Sequence, residues 1–316
     1  MPGSHRNLIH AVARRLGVIV AVLWGAATIA FIAVKLIPGD PVSILTGGEN
    51  IVDAAEREAL VRQYGLDQPL VLQYGRYIGQ ALLGNFGESY QYRQPVVDVI
   101  REAAGPTLQL AGSAIVIALS LAITVSLATA GRRRGLAVTL SSLELVLLST
   151  PVYWIGIVLL SLFSFRLQWF PVTGNDGFSA LVLPAIALSL PLAALLSQVL
   201  RDGLEEALAQ PFALTVRARG VGETLLRVRH GLRHAALAAS TLTGTLFATT
   251  LGGSILTETV FGRSGIGQIT LQAIKTRDMP LVLGLVMLSA CVFVIINLLV
   301  DALYLLIDPR LRRTAQ

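Results

Sequence analysis

The stretch Phe212–Leu237, FALTVRARGVGETLLRVRHGLRHAAL, sets Arg217, Arg219, Arg227, Arg229 and Arg233 around Gly220 and Gly222, between two long apolar runs. An arginine at mid-bilayer costs on the order of 2.5–3.5 kcal/mol. Five of them therefore place residues 201–234 outside lipid. Within that segment LEEALAQPFALTVRAR has helical spacing, and ETLLRVRHGLRHAAL resumes a helix. Between the two, Gly220 suits a left-handed C-cap, where a side chain would be penalised. The segment reads as a short helix presented on a rigid turn, an element built to dock.

The flanking sequence sets the context. Of 316 residues 54% are hydrophobic and 14% charged, against about 25% charged in a soluble chain. Spanning lipid as a helix takes about 20 apolar residues. Six segments qualify, at about 16–36, 107–130, 136–165, 179–200, 235–257 and 280–306. The first is too long for a signal peptide and no small-residue cleavage site follows it cleanly, so it reads as a retained anchor. Arg6, Arg14 and Arg15 put the N-terminus in the cytoplasm. Six crossings then place Arg132, Arg133 and Arg134, the 201–234 segment, and Arg310, Arg312 and Arg313 on that same side. The net charge of +6 follows membrane topology, and no nucleic-acid partner is expected.

The expected fold class is an all-α integral membrane protein of six transmembrane helices. Residues 1–37 form the cytoplasmic N-terminus and first span. Residues 38–105 form a small extracytoplasmic helical segment, and 106–316 a five-helix core with a cytoplasmic loop at 201–234. In the outer segment Asp53 and Glu56 have capping-box spacing. QPVVDVIREAAG, near its end, reads as a helix leading into the membrane. Cys291 stands alone, without a disulfide partner.

Enzymatic chemistry is not in evidence. Walker A needs a glycine loop ending in Gly-Lys, and neither Lys35 nor Lys275 follows a glycine. His230 and His234, at i and i+4, have a metal-clip spacing but no third ligand nearby, so no metal site is assigned. GRSGIG at 262–267 lacks the spacing of a nucleophile elbow. No catalytic residue is assigned and no cofactor is expected in this chain. Glu144 and Asp301 lie in or near spans, where ionisable groups are functional candidates by default. Each is near enough to an arginine for a structural pairing, Glu144 to Arg134 and Asp301 to Arg310, and that role is the expectation. Ser240, Gly244, Ala248 and Gly252 recur every four residues and build a smooth ridge for close helix approach. Pro151, Pro184 and Pro191 interrupt helices, as happens where a bundle bends or lines a cavity.

At this point the sequence resembles the B-type permease subunit of bacterial dipeptide and oligopeptide ABC importers. FALTVRARG matches that family's coupling-loop pattern. IPGDPV (37–42), RQPVVDVI (93–100), PTLQLA (106–111), STPVYWIGIVLL (149–160) and FPVTG (170–174) carry the likeness further. LPAIALSLPLAA (183–194), ETVFGRSGIGQ (258–268), RDMPLVLGLV (277–286) and NLLVDALYLLIDPR (297–310) complete it in order. The resemblance implies a type I importer fold, pairing with a second homologous permease and with one or two cytoplasmic ATPase subunits that bind ATP and Mg²⁺. It also implies an extracytoplasmic binding protein delivering peptide, in a bacterial inner membrane. Phe212, Leu214, Thr215, Val216, Arg217, Ala218, Arg219 and Gly220 would form the ATPase-coupling turn. Glu258, Thr259, Val260, Phe261, Gly262, Gly265 and Gly267 would form an outer loop toward the binding protein or substrate.

Two departures from the family pattern bear on the coupling loop. Phe212 stands where tyrosine is usual, and LRHAALA puts His234 and Ala238 where asparagine and proline are usual. Relatives of this type carry dipeptides, longer peptides, glutathione or nickel, and peptide is the expected substrate. A self-sufficient secondary transporter would call for paired mid-membrane charges and internal pseudo-symmetry, neither of which stands out.

Overall fold

Proline placement separates the apolar segments that continue as single helices from the one that breaks and bends. The computed structural model describes residues 3–36, 54–64, 67–131 and 134–307; within these, the side chains at 3–12, 34, 54, 56, 60, 63, 64, 134, 237, 238, 252, 253, 297 and 299–307 fall outside the description. Thirteen α-helices run through these residues. They are α1 (Gly3–Leu36), α2 (Ala54–Tyr64), α3 (Leu70–Leu82), α4 (Val96–Thr129) and α5 (Arg134–Ser149). Next come α6 (Val152–Leu159), α7 (Ser179–Ala209), α8 (Pro211–Ala218) and α9 (Glu223–Leu225). The last are α10 (Leu232–Gly253), α11 (Ile255–Val260), α12 (Ile266–Lys275) and α13 (Met279–Ile307). Two π-helical stretches, Leu160–Arg166 and Leu226–Gly231, extend α6 and join α9 to α10. Pro106 sits inside α4, and Pro184 and Pro191 inside α7, without ending either helix. Packed neighbours can re-satisfy the backbone groups a buried proline frees.

Pro151 behaves differently. A proline ring disfavours helical geometry at the preceding residue, here Thr150, and Pro151 itself is extended with φ −60 and ψ 134. The segments Gly135–Ser149 and Val152–Arg166 meet at 101°. The single span expected over 136–165 is therefore a bent pair. Among the described residues four helices are long and apolar enough to cross a membrane, or up to five if the bent pair is one span. The remaining expected segment forms α10, a 22-residue helix. At 1.5 Å per residue it is long enough, but its five threonines leave it less apolar than the others. Their hydroxyls turn back on the helix: Thr243 Oγ1 donates to the Ala239 carbonyl and Thr250 Oγ1 to the Leu246 carbonyl, both at 2.6 Å. A hydroxyl satisfied in this way is tolerated in lipid or between helices.

The chain divides into two compact units, one mainly Met1–Gly105 with Gln268–Ile295, the other mainly Pro106–Gly267. In the first, α1 leaves Val20 and Ile29 64% and 70% exposed, the apolar surface a lipid-facing helix presents. Its end is fastened to α3. Thr28 Oγ1 lies 2.7 Å from the Tyr74 hydroxyl, and Lys35 Nζ donates to Gln73 Oε1 at 2.5 Å. Phe31 meets Tyr74 edge-on and stacks on Tyr77. Asp53 and the Glu56 side chain, the proposed capping pair, lie outside the described residues, as does IPGDPV.

The motifs RQPVVDVI and RDMPLVLGLV meet at one junction of this unit. Asp278, fully buried, caps α13 by accepting the Leu281 N–H at 3.3 Å. Its other oxygen accepts from Ser89 Oγ (2.5 Å) and the Gln91 N–H (3.1 Å). Gly284 is there for close approach, since a methyl group would stand 2.5 Å from Val96 Cγ1.

In the second unit α7 is the central helix, packed by α5, α6 and α10. Its tightest contact is Gly203, where a Cβ would come 3.0 Å from the Ala235 backbone. Leu196, Leu200 and Leu204 of α7 interdigitate there with Ala235 and Ala239. Close approach to α7 thus uses Gly231, Ala235 and Ala239, one face round from the expected ridge. Ser240 and Gly244 line an apolar cavity of about 540 Å³ with Leu119, Thr243 and Phe247. Ala248 is half-buried, and the surroundings of Gly252 fall outside the description.

Candidate functional site

The segment after α7 is shaped by local chemistry. Gln210 is extended, as a residue before proline prefers, and Pro211 takes the first helical position, where its missing N–H is no loss. Ala213 packs inward with no exposure, while Phe212 and Val216 are half-buried. Leu214 is 70% exposed, and Thr215, Arg217, Ala218, Arg219 and Gly220 face outward with it. One face of α8 holds the helix to the protein, and the other is offered to a partner.

The helix ends in a Schellman turn. Gly220 takes φ +78, its N–H reaches the Arg217 carbonyl at 2.9 Å, and the Val221 N–H reaches the Val216 carbonyl at 3.4 Å. Nothing lies within 4 Å of where a Cβ would be, so the requirement for glycine is conformational. Across the turn Arg217 Nε donates to Glu223 Oε1 at 2.6 Å. That hydrogen bond raises the Arg217 pKa and lowers that of Glu223.

The two departures from the family pattern meet here. The rings of Phe212 and His234 stack, 4.9 Å between centroids and 25° between planes. Half-buried Phe212 and exposed His234 thus form a stacked pair at the base of α8, where a tyrosine would place a hydroxyl.

The outer loop is built on the opposite plan. Glu258, fully buried, accepts from Thr107 Oγ1 at 2.7 Å, Ser254 Oγ at 3.0 Å and the Gly267 N–H at 2.8 Å. Thr107 Oγ1 in turn accepts the Ile266 N–H at 2.8 Å. A side chain at Gly265 would sit on the Glu258 carboxylate, and one at Gly267 would stand 2.5 Å from Ile255 Cα. Phe261, 3% exposed, lies against Gly156, and Gly262 at φ +57 packs on Thr173. Val260 is half-buried. Of the residues expected to face a binding protein, Glu258, Phe261, Gly265 and Gly267 are buried, and Thr259 is exposed, as is Ser264. Arg263 is also buried, donating through Nη1 to the Ala180 carbonyl at 3.2 Å. Burial pushes its pKa down and the Glu258 charge pushes it back up.

Glu144 pairs across helices. Arg201 of α7 grips it through Nη2–Oε2 at 2.6 Å and Nη1–Oε1 at 3.3 Å, and Ser197 Oγ donates to Oε1 at 2.6 Å. Glu144 is thus held in a structural ion pair, but its cation is Arg201; the Arg134 side chain expected beside it falls outside the described residues. The Asp301 side chain and Arg310 lie outside the described residues. The roles of Arg201, Asp278, Arg263 and Thr107 were not read from the sequence. Only Asp278, with Pro280 two residues on, carries a helix-start signal.

Residues 122–313 match the family described as the binding-protein-dependent transport system inner membrane component. The chain belongs to this family. It is 35% identical over 321 residues to a protein of Brucella suis biovar 1 provisionally named a peptide permease, covering 98% of this chain and 99% of that one. It is 34% identical over 306 residues to the glutathione transport system permease protein of Escherichia coli strain K12, covering 96% and 99%. The solved MetNI methionine ABC transporter, in inward-facing conformations, shares the fold with a TM-score of 0.51. It is 17% identical and covers 67% of this chain and 96% of that chain. This permease is thus an all-α, multi-pass inner-membrane protein of type I permease fold. It is the membrane component of an ABC importer and not its ATPase. Family membership implies ATPase, binding-protein and second-permease partners.

Proposed function

We propose that this chain forms half of the translocation path of an ATP-driven importer of di- and oligopeptides. Six membrane crossings, with α10 among them and both termini cytoplasmic, put residues 38–105 outside and α8 in the cytoplasm. Partner ATPase subunits bind ATP and Mg²⁺ and receive α8 in a surface groove. The observation that carries this reading is α8 itself, a helix held by Ala213, Phe212 and Val216 that presents Leu214, Thr215 and Arg217 on a glycine-closed turn. A thermal or chemical event in a partner moves such an element as a rigid piece, which a flexible linker would absorb. The outer surface left for a binding protein includes Thr259 and Ser264.

Glutathione is the second substrate reading, supported by the named glutathione permease among the relatives. Labelled dipeptides, oligopeptides and glutathione supplied to a deletion strain and its complemented parent separate the two. Uptake of di- and oligopeptides restored by complementation is expected. Restoration of glutathione uptake alone would replace peptide by glutathione. Purification of the tagged chain without any ATPase subunit would overturn the coupling role.

A further inference from the structure

The π-helical turn between α9 and α10 holds an arginine that coupling does not account for. Arg227 is 7% exposed, unlike its exposed neighbour Arg229. Nη2 donates to the Gly131 carbonyl at 3.3 Å, just past the last turn of α4, while Nε is buried without a hydrogen-bond partner. The side chain lines a cavity of about 230 Å³ together with Leu127, Ala128, Thr224 and Val228. The nearby carboxylate, Glu223, is occupied by Arg217 at 2.6 and 3.4 Å. A buried donor left without an acceptor is costly and marks a place for an unrecorded group. An arginine fork with spare donors is the usual partner of a phosphate.

We propose that this cavity binds the phosphate of an anionic phospholipid headgroup, with Arg227 as its cation. The choice of a lipid over a soluble phosphate follows from position. Leu127 and Ala128 belong to the final turns of α4, one of the helices long and apolar enough to span a bilayer. The end of such a helix lies at headgroup depth, and basic pockets between helices on the cytoplasmic side are where headgroups bind. Val228, 46% exposed, continues the apolar wall outward and gives an acyl chain a surface to follow. The lipid would brace the stretch between α8 and α10. The inference rests on the cytoplasmic placement of that stretch in the function proposed above.

The test uses the purified transporter complex in nanodiscs of phosphatidylcholine with graded phosphatidylglycerol, with retained lipid read by native mass spectrometry. The parent complex retains phosphatidylglycerol over phosphatidylcholine. Arg227→Gln lowers that retention about tenfold, the loss expected for one charge-assisted hydrogen bond. Ala128→Phe fills the cavity while leaving the Arg227–Gly131 bond in place, and lowers retention similarly. Arg227→Lys keeps the charge and retains an intermediate amount. Retention unchanged in both Arg227→Gln and Ala128→Phe overturns the proposal. So does displacement of the lipid by millimolar inorganic phosphate, which would assign the cavity to a soluble anion. If no ATPase subunit accompanies the chain, the coupling reading fails while lipid retention is still measured, so the two failures are distinguishable.

Discussion

Around Gly220 the backbone turns left-handed with open space on every side. Around Gly265 and Gly267 the backbone keeps ordinary φ values, and the space is taken by Glu258 and Ile255. The first glycine is needed for its conformation and the other two for their missing side chains. The same contrast runs through the two segments. From Pro211 to Gly220 only Ala213 is fully buried, Leu214, Thr215, Arg217 and Arg219 face outward, and the charges pair across an exposed turn. From Ile255 to Gly267 the one carboxylate is buried and accepts from Thr107, Ser254 and the Gly267 N–H, and the loop packs around it. A surface meant to be gripped by a partner can vary its side chains as long as its turn persists. A loop wound around a buried charge tolerates almost no change.

Substitutions sharpen that contrast. Glu258→Ala is expected to have the largest effect. It leaves the Thr107 hydroxyl, the Ser254 hydroxyl and the Gly267 N–H without their acceptor, at about 1–3 kcal/mol for each group left unsatisfied. Loss of folded complex from detergent extracts, with a markedly lower Tm in what remains, is the expected result. Gly267→Ala should follow at about 3 kcal/mol, because the clash is with Ile255 backbone and not with a side chain free to swing away. Gly220→Ala costs only about 1 kcal/mol and should leave assembly and Tm nearly intact while lowering uptake per ATP hydrolysed. Gly220→Asn, which tolerates the left-handed region, should restore it. If Gly220→Ala unfolds the protein as Gly267→Ala does, the contrast between the two segments is lost. Arg217→Gln should leave Tm at neutral pH almost unmoved, since the pair with Glu223 is solvent-exposed. The sign of its pH dependence is fixed by the lowered Glu223 pKa. The pair contributes above the ordinary carboxylate value of 4.5 and loses its contribution as pH falls through the lowered one.

Local chemistry made α8 legible in advance. Helical spacing, five arginines that lipid would exclude and a glycine at the turn are all written within 26 consecutive residues, Phe212–Leu237. The outer loop was legible only as a family pattern, because its organising contact joins Thr107 to Glu258 across 151 positions. Glu144 shows the same limit: its tendency to pair with an arginine is readable, but Arg201 lies 57 residues away. Pro151 announced an interruption, while the 101° angle depends on how α6 packs against α7 and α11. On α10, Ala235 and Ala239 face α7, while Ser240 and Gly244 of the small-residue ridge line the apolar cavity. A four-residue repeat marks one face of a helix but not what that face meets, and the position of Gly203 on α7 selects Ala235 and Ala239 for the close contact.

The most direct test places a photo-crosslinking amino acid at two exposed positions in the assembled transporter, Leu214 on α8 and Thr259 on the outer loop. Irradiation should join position 214 to an ATPase subunit, and position 259 to the binding protein or to no ATPase. Crosslinking of the ATPase at 259, or its absence at 214 in complexes that hydrolyse ATP normally, would contradict the assignment of α8 as the coupling element.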